Sequence, residues 1–540
     1  MLVQISPALQ TEEPTSSTST SVVASEHPSE DNASGNEAGL RTGMRASSYV
    51  IYVDLPDRND EMLLLHGYTG AYDQVSRNTA NFVRSLERRR PPKPLYGSWT
   101  RDCETPESYV VPSDETLKAL RRRGYLTELS VEDEEALFSR FVAKIHSRNL
   151  QRMPTYIFMP TYDCNLRCSY CFQDHMRTKA EFRHLLKVMS TSVIDRIFQS
   201  MPKIEALHGT GTDTLRSIGF FGGEPLLAAS RSSVEYILRN AWNRGSTSIW
   251  AVSNATELEA YEDLLGPNKI DSLQITLDGP PQEHDKRRIY PDGSGSFHRI
   301  AHNITMALDK GVAVSVRLNI DRNNVARLPE LAEVMHTQGW SSYSNFSAYT
   351  APIHAANEQT HKSSTFDSWG LDQAQSELEK QFSSLSIIDR PNDNIKQSTR
   401  RIFNNIKVLG PNLKESFCSA HSGMYIFDTF GDIYACWERT GDPSIRIGHV
   451  AEDGSLQLNQ HTIELWRSRT VSSNPVCRQC RYALHCGGGC AVLAVGGTGK
   501  YHMNYCDGFA SVFRAGVAEA YLEHLAGTPM KSGKGRVCDQ

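Results

Sequence analysis

Cysteine is the residue type whose spacing says most about chemistry in this sequence. Ten of the twelve cysteines fall into two groups, one within 164–171 and the other within 418–506. Dense cysteine in small secreted domains forms disulfides. This chain has 540 residues, and its first basic residue is Arg41, so we expect no secretory signal. The two groups therefore favour metal ligation in a reducing compartment.

The first group has the spacing C-x3-C-x2-C, formed by Cys164, Cys168 and Cys171. It directly follows an apolar segment, 155–161, that is predicted to be a strand, and chemistry in parallel α/β folds lies at the carboxyl ends of strands. Three thiolates can hold three irons of a [4Fe–4S] cluster and leave the fourth iron open to a small molecule. A zinc site with His175 as the fourth ligand is the alternative.

The cysteine spacing, with aromatic Tyr170 before the last cysteine, resembles the signature of the radical SAM superfamily. The resemblance continues in order along the chain, at the ends of successive predicted strands. It implies that S-adenosylmethionine (SAM) is held by the following residues: Tyr170, Gly222, Gly223, Glu224, Pro225, Ser253, Asn254, Thr276, Asp278, Arg288 and Arg317. Within this set the GGEP segment 222–225 would accept the SAM ammonium group, because glycines let the backbone come close and Glu224 supplies acceptors.

The same resemblance implies the remaining contacts and the mechanism. Ser253, Asn254, Thr276 and Asp278 would face the ribose, and Arg288 or Arg317 would pair with the carboxylate. The cluster would cleave SAM reductively to a 5′-deoxyadenosyl radical, which abstracts hydrogen from a substrate. The sequence assigns no catalytic acid, base or radical partner.

The second group contains seven cysteines and one C-x2-C knuckle, whereas a zinc ribbon usually has two such knuckles. Its order resembles the SPASM domain found on some radical SAM enzymes. By that resemblance Cys477, Cys480, Cys486 and Cys506 would ligate one auxiliary [4Fe–4S] cluster. The other auxiliary cluster would be held by three cysteines: Cys418, Cys436 and Cys490. The fourth ligand of this second auxiliary cluster is not assigned by the sequence, and His421 is a candidate. The auxiliary clusters would relay electrons or bind substrate, and the alternative is a purely structural role.

The N-terminal region resembles the small peptide-recognition domain of enzymes that modify ribosomally made peptides. The strand segments 47–56 and 61–76 are followed by predicted helices over 77–90 and 112–128, with Ser113 as a cap and Gly124 as a stop. Such a domain implies that a leader peptide binds as an added strand at a sheet edge.

The predicted fold class is α/β: a partial (β/α)6 barrel of radical SAM type, flanked by a small winged-helix-like α+β domain and a cysteine-rich SPASM domain. Six predicted strands alternate with helices, which indicates an open or partial barrel. The expected domains are, in order: 1–46 disordered tail, 47–146 peptide recognition, 150–355 barrel, 356–412 helical bridge, 413–512 SPASM, and 513–540 C-terminal helix and tail.

The favoured function is modification of a ribosomally made precursor peptide by a crosslink, a thioether or a similar change. The alternatives are a protein-residue maturase of the sulfatase-maturing type, a non-catalytic iron–sulfur carrier or scaffold, and a zinc-binding interaction module. We expect three [4Fe–4S] clusters, SAM, a leader-bearing peptide partner and an external electron donor such as flavodoxin or ferredoxin. The net charge of −5 gives no support for nucleic-acid binding. The sequence lacks an apolar run long enough to cross a membrane, so we expect a cytoplasmic protein.

Overall fold

A computed structural model gives the fold of most of the chain. It describes residues 43–88, 97–98, 108–211, 217–245, 248–355, 360–403 and 413–528. Cys103, Cys538 and the predicted N-terminal disordered tail up to residue 42 lie outside the described residues.

The described residues form eighteen strands and sixteen α-helices, joined by loops and short 3-10 helices. The strands are β1 Arg45–Ala46, β2 Val50–Asp54, β3 Glu61–His66, β4 Tyr72–Ser76, β5 Gly97–Ser98, β6 Leu126–Thr127, β7 Thr155–Phe158, β8 Ser217–Phe220, β9 Ser248–Ser253, β10 Ser272–Leu277, β11 Ala313–Ile320, β12 Phe346–Pro352, β13 Ile388–Asp389, β14 Met424–Phe427, β15 Asp432–Tyr434, β16 Gly448–Val450, β17 Leu456–Leu458 and β18 Cys506–Asp507. The helices are α1 Arg77–Ser85, α2 Asp114–Arg122, α3 Val131–Leu150, α4 His175–Thr178, α5 Thr191–Leu207, α6 Arg231–Asn243, α7 Pro281–His284, α8 Phe297–Asp309, α9 Leu328–Thr337, α10 Ser368–Glu379, α11 Asp393–Phe403, α12 Gln460–Arg467, α13 Pro475–Arg478, α14 Ala483–Cys486, α15 Ala491–Thr498 and α16 Phe509–Leu525.

The chain divides into two compact units, and neither is a single stretch of sequence. The first unit combines 1–145, 392–417 and 470–530, and the second combines 146–391, 418–469 and 531–540. The segment 413–512, expected to form one cysteine-rich domain, therefore contributes to both units.

The second unit is built on an open sheet in which the six predicted barrel strands all form. They are β7 to β12, and they lie side by side in chain order and pair in parallel. Helices α5, α6, α8 and α9 lie between consecutive strands along the chain. Parallel neighbouring strands need crossover connections, which these helices provide. The α/β prediction is therefore confirmed for this part of the molecule.

The sheet of the second unit is wider than the sequence predicts. Strand β13 extends it beyond β12, and β14 pairs in parallel with β7 on the other side. Strands β15, β16 and β17 then continue it as an antiparallel meander. These added strands have only two to four residues each, too short for a readable period-two pattern.

The first unit contains the antiparallel sheet β2–β3–β4, and its strands β2 and β3 are buried on both faces. Val50, Tyr52, Met62 and Leu64 pack in a core that includes residues of α1 and α2. The alternate residues Ile51, Val53 and Leu63 pack in a second core with residues of α16. Successive side chains of a strand point to opposite sides, so one set of apolar residues packs in the first core and the alternate set packs in the second.

The predicted helix signals of this unit are confirmed. The hydroxyl of Ser113 caps α2 by accepting from the N–H of Thr116, and Gly124 follows the helix with a φ of 86°. Helix α1 is likewise capped by Ser76. In the described part of the chain, no helix combines the length and the apolar character that crossing a membrane requires.

Candidate functional site

The three cysteines of the first group lie on the loop that follows β7. The loop is held in place by its backbone: the N–H of Arg167 donates to the carbonyl of Ile289 at 2.7 Å, and the N–H of Cys171 donates to the carbonyl of Cys168 at 3.1 Å. Burial is the largest cause of the raised pKa values of Cys164, about 11, and Cys168, about 12, and neighbouring thiols contribute to both rises. Arg177 opposes the rise in pKa at Cys164, whereas Arg288 opposes that at Cys168. Metal coordination deprotonates such thiols outright.

The two glycines of the GGEP segment allow this loop to approach β8. A methyl group at Gly223 would lie 2.2 Å from the carbonyl oxygen of Asp163, and one at Gly222 would lie 2.5 Å from that of Thr161. The N–H of Glu224 donates to the carbonyl of Asp163 at 2.7 Å. The backbone of 222–224 therefore fixes the segment that leads directly into Cys164.

Glu224 is fully buried and accepts three hydrogen bonds. One carboxylate oxygen accepts from the N–H of Leu226 at 2.9 Å and from the hydroxyl of Ser253 at 2.8 Å. The other accepts from the N–H of Asn254 at 2.6 Å. Burial raises the pKa of Glu224 to about 7, although the hydrogen bonds oppose the rise. The side chain thus joins the end of β8 to the end of β9.

Asn254 joins the end of β9 to the cysteine loop. Its side-chain amide donates to Asn165 Oδ1 at 3.0 Å and to Cys164 Sγ at 3.7 Å. Its carbonyl oxygen accepts from the hydroxyl of Thr256 at 2.7 Å. The side chains of both Ser253 and Asn254 therefore have protein partners in this structure, and the ribose contact expected of them stays a prediction.

Tyr170 is the centre of a second hydrogen-bond network, at the ends of β10 and β11. Its hydroxyl donates to Asp278 Oδ2 at 2.6 Å. It accepts from Arg288 Nη1 at 2.9 Å and from Asn319 Nδ2 at 3.1 Å. Three of the residues predicted from the sequence, Tyr170, Asp278 and Arg288, are thus brought into direct contact.

Two polar atoms of this network are buried and have no partner in the described part of the chain, namely Asp278 Oδ1 and Arg288 Nε. Buried polar atoms are nearly always paired, so both are suited to a bound ligand. Thr276 and Arg317 are register partners on β10 and β11. Arg317 donates from Nε to Asn319 Oδ1 at 2.9 Å, which connects it to the same network.

The donor types of this region suit an iron–sulfur cluster and SAM, although among the described residues no group of three or more His, Cys, Asp or Glu side chains is arranged to hold a metal ion. Three thiols on one loop match the sulfur ligands that such clusters require. Cys164, Cys168 and Cys171 would hold the cluster, and the unpaired atoms of Asp278 and Arg288 match a ligand that carries both donors and acceptors. Pro225 continues the loop after Glu224, before the 3-10 turn Ala228–Ser230.

Arg177 also lies at the cysteine loop, and the sequence reading missed it. Its Nη2 donates to Cys171 Sγ at 3.2 Å, and the residue is 9% exposed. Arg177 lies six residues after Cys171, the last cysteine of the motif, and therefore outside the C-x3-C-x2-C spacing. A basic residue one or two turns beyond the motif was the only available signal. His175 stacks edge-on against Phe182 at 5.0 Å between ring centroids.

In the first unit the second cysteine group is organised around three consecutive glycines, 487–489. All three have φ between 74° and 85°, a left-handed conformation that favours glycine. A methyl group at Gly489 would lie 1.9 Å from the carbonyl oxygen of Tyr505, the residue before Cys506. Backbone N–H groups of Gly488 and Gly489 lower the pKa of Cys486, although burial, the largest effect, raises it.

Cys480, Cys486 and Cys506 influence one another electrostatically. Burial raises the pKa of Cys480 to about 12, and the neighbouring Cys506 and Cys486 add to that rise. Cys477 is buried, and it packs in the same apolar core as Cys480. Four thiols and converging backbone N–H groups suit an iron–sulfur cluster.

The remaining three cysteines do not belong to one unit. Cys418 and Cys436 lie in the second unit and Cys490 in the first. Both ring nitrogens of His421, the candidate fourth ligand, have protein partners: Nδ1 lies 2.8 Å from the carbonyl oxygen of Trp466, and Nε2 lies 3.4 Å from Arg469 Nη1. This geometry favours a structural role for His421.

Comparison with known proteins gives one family and several similar proteins. Residues 158–335 match the family model of the Radical SAM superfamily. A cysteine-type anaerobic sulfatase-maturating enzyme of Clostridium novyi (strain NT) is 22% identical over 388 residues, which are 68% of this chain and 95% of that protein.

Two solved structures of anSMEcpe have a similar fold. Hexahistidine-tagged anSMEcpe with bound AdoMet is 15% identical, with a TM-score of 0.51, and the match covers 70% of this chain and 96% of that one. Native anSMEcpe with bound AdoMet and the Cp18Cys peptide is 14% identical, with a TM-score of 0.50, covering 69% and 98%. At these identities the likeness concerns the fold. The match of residues 158–335 to this family and the arrangement of the cysteine loop support a radical SAM enzyme.

Proposed function

We propose that this chain modifies a ribosomally made precursor peptide by radical SAM chemistry. The observation that carries the proposal is the joining of the cysteine loop to the GGEP segment, through the N–H of Glu224 and the carbonyl of Asp163 at 2.7 Å. When bound, the cluster and SAM supply a carbon-centred radical that abstracts hydrogen from the substrate. The protein supplies the positions of its ligands and excludes water.

Different residues of the site would hold the cluster and SAM. Cys164, Cys168 and Cys171 hold the cluster. Glu224, in its carboxylate form, accepts from the SAM ammonium group, and Arg288 pairs with the SAM carboxylate. The hydrogen bonds of Glu224 to Ser253 and Asn254 fix its orientation before the ligand arrives, which lowers the entropic cost of binding.

The auxiliary cluster of the first unit is held by Cys477, Cys480, Cys486 and Cys506. The electrostatic coupling among three of these thiols supports a shared ligand. The sequence alone predicts a further cluster at Cys418, Cys436 and Cys490, which would bring the total to three. Auxiliary clusters held there would supply a place for the electron that a substrate radical loses when a new bond forms, and an external flavodoxin or ferredoxin would donate the initiating electron.

The peptide leader binds along β4, an edge strand of the N-terminal sheet. Strand β4 pairs with β3 alone among the described residues. The N–H of His66 donates to the carbonyl of Ala71, and the N–H of Arg77 donates to that of Asp60. In this antiparallel register, the backbone N–H and carbonyl groups of odd-numbered β4 residues point toward β3. Those of Tyr72 and Gln74 point away from β3.

The outward groups of β4 differ in availability. The carbonyl of Tyr72 accepts from Arg123 Nη2 at 3.1 Å. In the described part of the chain, the backbone N–H and carbonyl of Gln74 have no such partner, so they are the groups that would pair with an added strand. The structure of anSMEcpe with a bound peptide shows a protein of similar fold that binds a peptide.

Peptide capture tests this part of the proposal. The full chain is titrated with the precursor peptide encoded beside its gene, with and without the leader. Gln74→Pro removes an outward N–H, and we expect up to about tenfold weaker binding from the loss of one hydrogen bond. Gln74→Ala keeps the backbone and should bind like the wild type. Equal affinity of all three for the leader would contradict binding at β4.

The sulfatase-maturing relative favours a second candidate function, oxidation of a Cys or Ser residue within a target protein. Anaerobic incubation with a sulfatase-derived peptide separates the two. Oxidation of the Cys or Ser residue of that peptide without any leader would support the second function, whereas a leader-dependent mass change in the precursor would support the first.

A further inference from the structure

We propose that Arg177 is a positioning residue for the cluster: its guanidinium donates a hydrogen bond to Cys171 and raises the reduction potential of the cluster. This inference rests on the proposed function, since it requires a cluster at Cys164, Cys168 and Cys171.

Local backbone structure carries Arg177 back to the cysteine loop. The N–H of Asp174 donates to the carbonyl of Cys171 at 3.2 Å, and the N–H of Arg177 donates to the carbonyl of Asp174 at 3.0 Å. Two successive turns of three residues therefore place position 177 above position 171, and Nη2 reaches Cys171 Sγ at 3.2 Å. Sulfur accepts hydrogen bonds at this distance.

The rest of the guanidinium is buried and unpaired. In the described part of the chain, Arg177 Nε and Nη1 have no hydrogen-bond partner. A buried arginine cannot lose its proton, and an unpaired buried charge is costly. The carboxylate of Asp174 interacts electrostatically with Arg177, and a further anion beside the unpaired nitrogens would stabilise the buried charge. Cys164 and Cys171 both interact electrostatically with this side chain, and a cluster with three thiolate ligands supplies the negative charge.

The consequence for redox chemistry follows from charge. Reduction adds one negative charge to the cluster, so a fixed positive charge nearby favours the reduced form. Hydrogen bonds to cluster sulfurs and the local net charge are established controls of iron–sulfur potentials. Arg177 contributes both, whereas Arg167, on the same loop, donates to the carbonyl oxygens of Cys164 and Leu166 instead.

The test is a redox titration of the reconstituted full chain, followed by electron paramagnetic resonance. The relevant signal is the one that changes on addition of SAM, and its potential is measured without SAM. We expect Arg177→Gln to lower the ratio of reduced to oxidised cluster at least tenfold at a given potential, which corresponds to about 59 mV for one electron. Arg183→Gln, at an exposed position six residues further on, should titrate like the wild type.

A second variant keeps the inference testable if Arg177→Gln loads less iron. Arg177→Lys retains the charge but loses the planar fork, so we expect full iron content and a shift in the same direction of about threefold. Wild-type potentials in the loaded variants would overturn the inference. Weaker SAM binding at an unchanged potential would also overturn it, because Arg177 would then serve the SAM carboxylate.

The inference and the proposed function can fail separately. An active wild type whose Arg177→Gln variant keeps the wild-type potential refutes the role of Arg177 alone. A wild type that holds the cluster but never cleaves SAM refutes the proposed function, while the effect of Arg177 on the potential can still be measured.

Discussion

Replacing Gly223 by alanine should detach the cysteine loop from the strand beside it. The added methyl group would lie 2.2 Å from the carbonyl oxygen of Asp163 and 2.3 Å from that of Tyr162. Both are backbone atoms, so no side-chain rotation relieves the contact. Two hydrogen bonds depend on this approach, from the N–H of Gly223 to Thr161 at 3.2 Å and from the N–H of Glu224 to Asp163 at 2.7 Å.

The size of the effect follows from these contacts. Overpacking of this kind costs about 1–3 kcal/mol, and each lost hydrogen bond adds about 0.5–1.5 kcal/mol. A local cost of about 2–6 kcal/mol is enough to open the loop. The cysteines of the first unit lie on other elements, so we expect the variant to lose about four irons per chain, one [4Fe–4S] cluster, and to keep the rest.

The assay measures iron and sulfide per chain after anaerobic reconstitution, together with SAM binding by calorimetry. Gly211→Ala is the matched control, because a methyl group there has no neighbour within 4 Å. A Gly223→Ala protein with wild-type iron content and SAM affinity would refute the view that close backbone contact holds the cluster loop.

Three further changes have defined outcomes. Glu224→Gln places an amide where three donors converge, and we expect it to weaken SAM binding by about 1.5–3 kcal/mol, measured by calorimetry. An unchanged SAM affinity would show that the site holds SAM without this carboxylate. Burial raises the pKa of Asp428 to about 7 from 3.8; the folded state then binds more protons than the unfolded one between these values, so this group lowers stability as pH rises from about 4 to 7, by at most about 1.4 kcal/mol per unit, and Glu224, whose pKa is also raised to about 7, adds to the same slope. Asp428→Asn should flatten that slope in thermal melts, and an unchanged slope would show that another group is responsible. Arg481→Met leaves Glu87 without its 2.9 Å buried partner and should destabilise the first unit by about 3–5 kcal/mol in denaturant melts, whereas a wild-type midpoint would contradict a buried ion pair.

Much of the second unit could be predicted because its signals are local. Each barrel strand is a short apolar run between helical segments, and all six form. The cysteine loop and the GGEP segment follow strands β7 and β8, as their positions in the sequence indicate. Strand β12 begins only at Phe346, because the 3-10 helix Trp340–Ser342 follows α9.

What the sequence could not supply depends on long-range contacts. The first unit collects three separate segments. One of the contacts that join them is a hydrogen bond from Arg481 Nη1 to the carbonyl of Val50 at 2.6 Å, across 431 residues of sequence. Nothing local in Arg481 marks this partner. From the sequence, Asn254 is likewise predicted to face a ligand at the end of a strand. Only the fold shows that its side-chain amide donates to Cys164 and Asn165.

The most direct test of the central claim is reductant-dependent cleavage of SAM by the anaerobically purified, reconstituted chain. The account predicts 5′-deoxyadenosine from the wild type, with about twelve irons per chain for three [4Fe–4S] clusters, and no product from a Cys168→Ala variant that retains about eight. No 5′-deoxyadenosine from a fully loaded, reduced wild type, even with the precursor peptide added, would contradict the account and leave an iron–sulfur carrier or scaffold.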